Sequence, residues 1–240
     1  MFKPDSPILD FPANLDRRQA FFLDGMRHAF EIGHLAFDRL TTNLANLAKS
    51  DAEGNRPKGY AKYYLDAWAF VDAIDRLLAL WKLQPNAPTI PHEWSPVKLQ
   101  EEFSAIRDIR NVSDHLAQRA EQVISSGTAA LGELSWVNVT SLEPPIMKSY
   151  LIRPGFLPPS VKDKLNIPEK EITVVNSSAN VLLKAHTYTA NLSAAFVRMV
   201  ALARYVEFSV TPAFISVNAG APIGGDLFAS CELLFPTANK

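Results

Sequence analysis

The hydrophobic positions in the first part of the chain recur with the period of an α-helix. From about Leu15 they are spaced alternately three and four residues apart, and Asn14 is a candidate N-cap. The stripe consists of Leu23, Met26, Phe30, Gly33, Phe37, Leu40, Leu44 and Leu47. Because this spacing keeps one face apolar over many turns, it predicts a long first helix that ends in the polar segment 50–59. The glycine on the stripe indicates a close approach to a second helix.

Two further helices follow from the same periodicity. Residues 60–81 form an apolar stripe widened by aromatic side chains, which predicts a helix buried on more than one side. After a proline-rich connector, Ser95 is a good N-cap because a proline occupies the next, first helical position. The pattern predicts one continuous third helix over 96–126, with Gly127 as its C-cap.

Short apolar runs replace the helical period after this glycine. Three runs predict β-strands: 134–139, 146–152 and 171–175. They predict a small antiparallel sheet of about three strands, inserted at about 129–178. The apolar run 181–183 is compatible with a strand or with the approach to a last helix, which is predicted over about 187–208.

These elements predict a single α+β domain over 1–240 that is mostly α. It consists of a bundle of four main helices, with the small antiparallel sheet inserted before the last one. With 240 residues, 48% of them hydrophobic, the chain is long enough to bury a sizeable core. The tail at about 209–240 is too apolar for simple disorder, so it is expected to pack on the domain or on a second chain.

Charge and cysteine content exclude several functions. The net charge of -1 provides no basic field for non-specific nucleic-acid binding, so contact with a polyanion requires a local patch. The single cysteine, Cys231, excludes an internal disulfide and a cysteine-based zinc site. The N-terminus lacks the pattern of a signal peptide, and no apolar run reaches membrane-spanning length. We therefore expect a cytoplasmic protein without a membrane partner.

The middle of the third predicted helix carries more polar chemistry than packing requires. Arg110 and Asp114 are one turn apart, as are Asn111 and His115. Arginine can hold a phosphate through two parallel hydrogen bonds, and histidine can transfer a proton near neutral pH. On an unbroken helix Arg110 and His115 diverge by roughly 140°, so a composite site needs two chains that meet across a two-fold axis. The alternative is an ordinary Arg110–Asp114 ion pair worth roughly 0.3–0.5 kcal/mol.

Other chemical constellations are missing from the sequence. The glycine-rich segment 220–225 lacks the lysine and hydroxyl residue of a phosphate-binding loop. His28 and His34 lie beside the stripe of the first helix, where a structural or solvated role is usual. No spacing of His, Cys, Asp and Glu resembles a metal site, so neither a metal nor a cofactor is predicted.

The segment from Arg110 to His115 resembles the Arg-x(4–6)-His motif of the HEPN (higher eukaryotes and prokaryotes nucleotide-binding) superfamily, in the form in which a polar residue such as Asn111 follows the arginine. The resemblance implies a helical bundle with this motif on a long helix that follows two others. It also implies a metal-independent endoribonuclease of the toxin or defence kind, which assembles its active site in a homodimer. Arg110 would bind the scissile phosphate and His115 would be the general acid/base. Asn111, which would orient them, and Asp114 would be auxiliary residues.

Two features depart from this family. The minimal bundle lacks a β insertion, and the chain is not basic. Some family members are inactive, so a second class of function stays open, namely a HEPN-like binding or interaction module without catalytic activity. The expected partners are RNA, a second copy of the chain, and an antitoxin or other protein.

Overall fold

The structure is a computed structural model that describes residues 1–12, 15–55, 57–84, 90–125, 127–142, 145–153, 173–216, 226 and 229–231. Its α-helices are α1 (Arg17–Ala52), α2 (Ala61–Trp81), α3 (Pro96–Glu102), α4 (Ser104–Asp114), α5 (Leu116–Ser125) and α6 (Leu192–Ser216). Its strands are β1 (Glu133–Leu142), β2 (Pro145–Ile152), β3 (Val174–Val175), β4 (Ser178–Ala185) and β5 (Tyr188–Asn191). The predicted α+β class, with a small antiparallel sheet, is confirmed.

Helix α1 begins directly after its capping residue, Asp16. The side chain of Asp16 accepts hydrogen bonds from the backbone N–H groups of Arg18 (2.8 Å) and Gln19 (3.0 Å), which a helix leaves unpaired at its first turn. Asn14, the predicted cap, lies outside the described residues. Every position of the predicted apolar stripe is buried, and the helix continues to Ala52, inside the segment predicted as a loop.

Helices α1 and α2 form an antiparallel pair, and α6 packs against both. A Cβ at Gly33 of α1 would lie 2.7 Å from the sulfur of Met199 on α6 and 3.4 Å from Ala73 on α2. The expected close approach at this glycine is thus confirmed, because even a Cβ there would contact side chains of both α2 and α6.

The prediction of one helix over 96–126 is wrong, because the segment is divided into α3, α4 and α5. Phe103, at the first junction, and His115, at the second, have similar non-helical backbone angles (φ -98°, ψ 15° and φ -109°, ψ 23°). The second break follows Asn111, Ser113 and Asp114, whose side chains compete for backbone hydrogen bonds and disfavour helix interiors. The apolar period continues across both breaks, so it did not reveal them.

The sheet is larger than predicted. Within the described residues five strands pair in the order β2-β1-β4-β3, with β5 also on β4, and all pairings are antiparallel. The missed strands β4 and β5 form a hairpin whose two-residue turn contains His186 at φ 55°. The insertion therefore extends beyond 178 to Asn191, and the last helix starts at Leu192 rather than near Thr187. It also ends later, at Ser216, inside the predicted tail, most of whose remaining residues lie outside the described part.

One buried cluster joins the helices to the sheet. It includes Leu134 and Trp136 of β1, Leu183 of β4 and Phe37 of α1, each at most 1% exposed. Because the inner face of the sheet completes the helical core, the inserted strands also help to hold the helices that carry the candidate site.

Candidate functional site

Arg110 lies in the penultimate turn of α4, and carboxylates hold its guanidinium group in place. Its Nε lies 2.6 Å from Oδ1 of Asp72 on α2, and Nη1 pairs with the carboxylate of Asp114 one turn further along α4. The Arg110 side chain is 29% exposed, so these ion pairs lie at the surface rather than in the core. The guanidinium is therefore oriented, and much of its charge is balanced.

His115 lies at the break between α4 and α5. Its backbone N–H donates to the carbonyl of Asn111, and its own carbonyl accepts from Arg119 in α5. The residue is exposed, and its ring forms no hydrogen bond with another residue in the described parts of the chain. Since α4 ends before His115, the 140° divergence expected for an unbroken helix does not apply to this pair.

The structure brings together only some of the predicted site residues. Arg110 and Asp114 are in contact, whereas no hydrogen bond described here joins the side chains of Arg110, Asn111 and His115. Asn111 is exposed and contributes its backbone carbonyl to the end of α4. Asp72 was missed because its pairing with Arg110 depends on the packing of α2 against α4, which local sequence patterns do not encode.

A groove of about 570 Å³ runs between α1 and α2 on the side where Asp72 contacts Arg110. The groove combines charged side chains with an apolar floor, and it is lined by Asp24, Gly25, His28, Ala29, Ile32, Ala69, Asp72, Ala73, Arg76, Ala79 and Leu80. Ile32 is 48% exposed and is the largest apolar side chain on the α1 edge of the groove. The Asp72–Arg110 pair therefore adjoins a surface depression that a ligand could enter.

A second polar cluster lies at the α1 edge of this groove. Asp24 and His28 of α1 and the distant Asp226 offer ligand atoms within 4.8 Å of one another, a spacing that could hold a metal ion. Nη2 of Arg27, however, lies 3.1 Å from Oδ1 of Asp24, 2.6 Å from Oδ1 of Asp226 and 3.3 Å from Nε2 of His28. A guanidinium nitrogen thus already provides the positive charge at the centre of the cluster, which disfavours a metal ion.

The charges of this cluster shift its pKa values. Burial and the neighbouring charge of Arg27 lower the pKa of His28, but the backbone carbonyl of Asp24, the carboxylate of Asp226 and the charge of Asp24 outweigh them and raise it overall. Hydrogen bonds from Arg27 and then from His28 lower the pKa of Asp226. The sequence contained a partial signal for this cluster, since Asp24, Arg27 and Glu31 have helical ion-pair spacing. The contribution of Asp226 was not predictable from local spacing.

Comparison with protein-family models, curated proteins and solved structures finds no match for the chain. Among the described residues, the helices are too short or too polar to cross a membrane.

Proposed function

We propose that the protein is a HEPN-like, RNA-directed protein and acts as a metal-independent endoribonuclease of the toxin or defence kind. In this proposal α1, α2, the α3–α5 segment and α6 correspond to the four helices of the bundle. Arg110 binds the scissile phosphate, His115 transfers protons, and Asn111 orients these two side chains. The observation that carries the proposal is the helix break at His115. It leaves an exposed imidazole without a described side-chain partner five residues after an oriented arginine.

The two carboxylates paired with Arg110 are compatible with a phosphate-binding role, because phosphate oxygens can replace them. A phosphate offers an arginine the same kind of paired oxygen acceptors as a carboxylate. Exposed ion pairs are individually weak, roughly 0.2–1 kcal/mol, so RNA phosphate can compete for the guanidinium group. Asp72 and Asp114 thus keep Arg110 in a binding orientation while RNA is absent.

The proposed reaction needs two proton-transfer groups. The 2′-oxygen of a ribose bonds to the adjacent phosphorus, and the bond from phosphorus to the 5′-oxygen breaks. One neutral imidazole accepts the 2′-hydroxyl proton, and one imidazolium donates a proton to the 5′-oxygen. The products are a 2′,3′-cyclic phosphate and a 5′-hydroxyl. A homodimer that places two copies of His115 at one cleft supplies both groups.

A second candidate function is an inactive binding or interaction module. It is favoured by one specific observation: Arg110 contacts carboxylates on both α2 and α4, which is also the arrangement of a purely structural ion-pair network. In that case the helical faces and the groove would hold a partner without any chemical step.

Cleavage of RNA in the presence of EDTA separates the two candidates. We expect the wild type to cleave, and His115→Ala to lose roughly 100-fold or more of the rate, as is typical when a general acid/base is removed. His92→Ala is the matched control, because His92 is also exposed but lies in the short 3-10 helix before α3. That variant should cleave at the wild-type rate.

Two results would overturn the ribonuclease proposal. One is cleavage by His115→Ala at the wild-type rate. The other is the absence of cleavage by the wild type across single-stranded and structured RNAs. Light scattering on the same samples tests the composite site, since a strict monomer at micromolar concentration contradicts the two-copy mechanism.

A further inference from the structure

A depression of about 360 Å³ lies between the N-terminal segment and the last turns of α6. Residues from 3–7 and from 204–212 line it, and it shares no lining residue with the groove between α1 and α2. Apolar side chains hold the N-terminal segment on the core. Ile8 and Phe11 are buried, and the ring of Phe2 lies edge-on to that of Phe30 on α1, with centroids 5.8 Å apart. The lining is therefore fixed by packing.

Four charged side chains line this depression, two of each sign. Lys3 and Arg204 are cations, and Asp5 and Glu207 are anions. Within the ranges that the structure describes, none of these four side chains forms an ion pair. The closest link is a hydrogen bond of 3.4 Å from the backbone N–H of Lys3 to Oε1 of Glu207. The depression therefore offers both signs of charge to a ligand.

Two neutral polar groups of the lining also have unused hydrogen-bonding capacity. Ser6 is only 5% exposed, and its Oγ has no hydrogen-bond partner among the described residues. Pro212 lies inside α6 and has no N–H, so it cannot donate to the carbonyl of Phe208 four residues earlier. Because buried polar groups are usually hydrogen-bonded, a hydroxyl and a carbonyl of this kind in one lining point to a ligand.

The rim of the depression adds an apolar surface. Phe208 is 77% exposed, more than any other large hydrophobic residue in the described part of the chain. Its ring lies in the same lining as those of Pro7 and Pro212. Sites for small molecules combine an apolar surface with a few polar groups that fix the orientation of the ligand. This depression has both parts.

We propose that the depression binds a small zwitterion with an apolar body, namely a free α-amino acid with an apolar side chain. The ligand carboxylate binds the guanidinium group of Arg204, and the Ser6 hydroxyl donates a further hydrogen bond to it. The ligand ammonium group binds the carboxylate of Glu207 and the carbonyl of Phe208. The ligand side chain packs on the ring of Phe208.

The balance of charge favours a zwitterion over an anion. A phosphate compound carries negative charge alone, so Asp5 and Glu207 would repel it from a lining in which they equal the cations in number. A zwitterion satisfies both signs and leaves the net charge unchanged. The site uses neither Arg110 nor His115, so it goes beyond the proposed ribonuclease function and can hold or fail independently of it.

L-Phenylalanine and two analogues test the proposal on the full chain. In a titration up to about 10 mM, followed by saturation-transfer NMR, we expect saturable binding of L-phenylalanine. The analogue 3-phenylpropionate lacks the ammonium group, and phenethylamine lacks the carboxylate. Each should bind about tenfold more weakly, because one charge-assisted contact is lost.

Variants assign each charged group of the ligand to its partner. Arg204→Gln should weaken the binding of L-phenylalanine about tenfold but leave that of phenethylamine unchanged, since phenethylamine has no carboxylate. Glu207→Gln should weaken the binding of L-phenylalanine but leave that of 3-phenylpropionate unchanged. A merely damaged fold would weaken all three ligands. The controls Arg18→Gln and Glu121→Gln change exposed residues outside the depression and should bind as the wild type does.

Three results would overturn the proposal. The first is the absence of saturable binding of L-phenylalanine by the wild type. The second is equal affinity of the wild type for L-phenylalanine and both analogues, which would mean that the charged groups of the ligand are not recognised. The third is an Arg204→Gln or Glu207→Gln variant that binds L-phenylalanine as tightly as its control.

Discussion

Asp66 shows how strongly burial acts on a single carboxyl group in this fold. Its side chain is 3% exposed, and Oδ1 pairs with Arg39, whose own side chain is 52% exposed. Its other oxygen, Oδ2, has no hydrogen-bond partner in the described parts of the chain. Burial raises the pKa of Asp66, and the charge of Arg39, a hydrogen bond with Asn43 and the charge of Lys62 only partly offset it. The ionised carboxylate is therefore held at a free-energy cost.

Replacing this carboxyl group should reveal that cost. We expect the free energy of unfolding of Asp66→Asn at neutral pH to equal or exceed that of the wild type, because the amide avoids the burial of a charge. The pKa is raised in the fold, so the penalty in the wild type is present above the folded pKa and absent below the ordinary value of 3.8. The advantage of the variant should therefore disappear as pH falls through that range.

Urea denaturation at several pH values measures this effect. Asp75→Asn, on the same helix but without comparable burial, is the matched control and should show a smaller pH dependence. A loss of more than about 1 kcal/mol in Asp66→Asn at neutral pH would mean that the ion pair with Arg39 outweighs burial.

At the scale of elements, the entry into β1 is a tight turn. Gly132, just before the strand, has φ 79°, and a Cβ there would lie 2.3 Å from the backbone oxygen of Lys184 on β4. Its carbonyl accepts a hydrogen bond from the hydroxyl of Tyr64 on α2. Burial, with a smaller contribution from Glu133, raises the pKa of Tyr64 to about 12, so this hydroxyl remains a donor at any working pH. Gly132 thus allows the backbone to approach β4 closely, and its carbonyl links the start of β1 to α2.

Alanine substitutions at two glycines separate backbone strain from steric conflict. Gly54 has the same φ of 79°, but a Cβ there meets nothing within 4 Å. Gly54→Ala should therefore cost only about 1–2 kcal/mol of backbone strain. Gly132→Ala should cost about 1–3 kcal/mol more, because the added carbon also collides with a backbone oxygen. Equal losses for the two variants in urea denaturation would contradict this steric account of the turn.

The sequence predicts some elements of the fold better than others. Helices α1 and α2 follow a strong apolar period over many turns, and their burial matches that period. The breaks at Phe103 and His115 interrupt the backbone but not the period, so a pattern of apolar spacing cannot detect them. The run around Val181 fits a strand or a helix equally well, and the turn geometry at Asn176 and Ser177, both with positive φ, decides for a hairpin.

At the scale of the whole molecule, two arginines of the groove region are each paired with a carboxylate. Arg27 is paired with Asp226, and Arg110 is paired with Asp72, in keeping with the net charge of -1. Each pair joins α1 or α4 to a residue far away in the chain. The sequence therefore predicted one member of the candidate site, Arg110, but it could not predict the carboxylate from α2 that orients it. Under the proposed function, RNA would have to compete with Asp72 and Asp114 for Arg110.

Binding of RNA tests this competition at the proposed site most directly. The measurement is the affinity for a single-stranded RNA with 2′-deoxy linkages, which cannot undergo the proposed cleavage, at several salt concentrations. We expect Asp72→Asn to bind up to about fivefold more tightly than the wild type, because a competing carboxylate is gone. Arg110→Gln should bind more weakly, and the dependence of log K on log salt should fall by roughly 0.7 through the loss of one phosphate contact.

Two controls carry the same changes of charge on the same helices. Arg107→Gln on α4 and Asp75→Asn on α2 should remain close to the wild type if the site lies at Arg110. Tighter binding by Asp72→Asn together with weaker, less salt-dependent binding by Arg110→Gln is the predicted result. Affinities that are unchanged in both variants, or changed equally in their controls, would contradict a phosphate-binding role for Arg110.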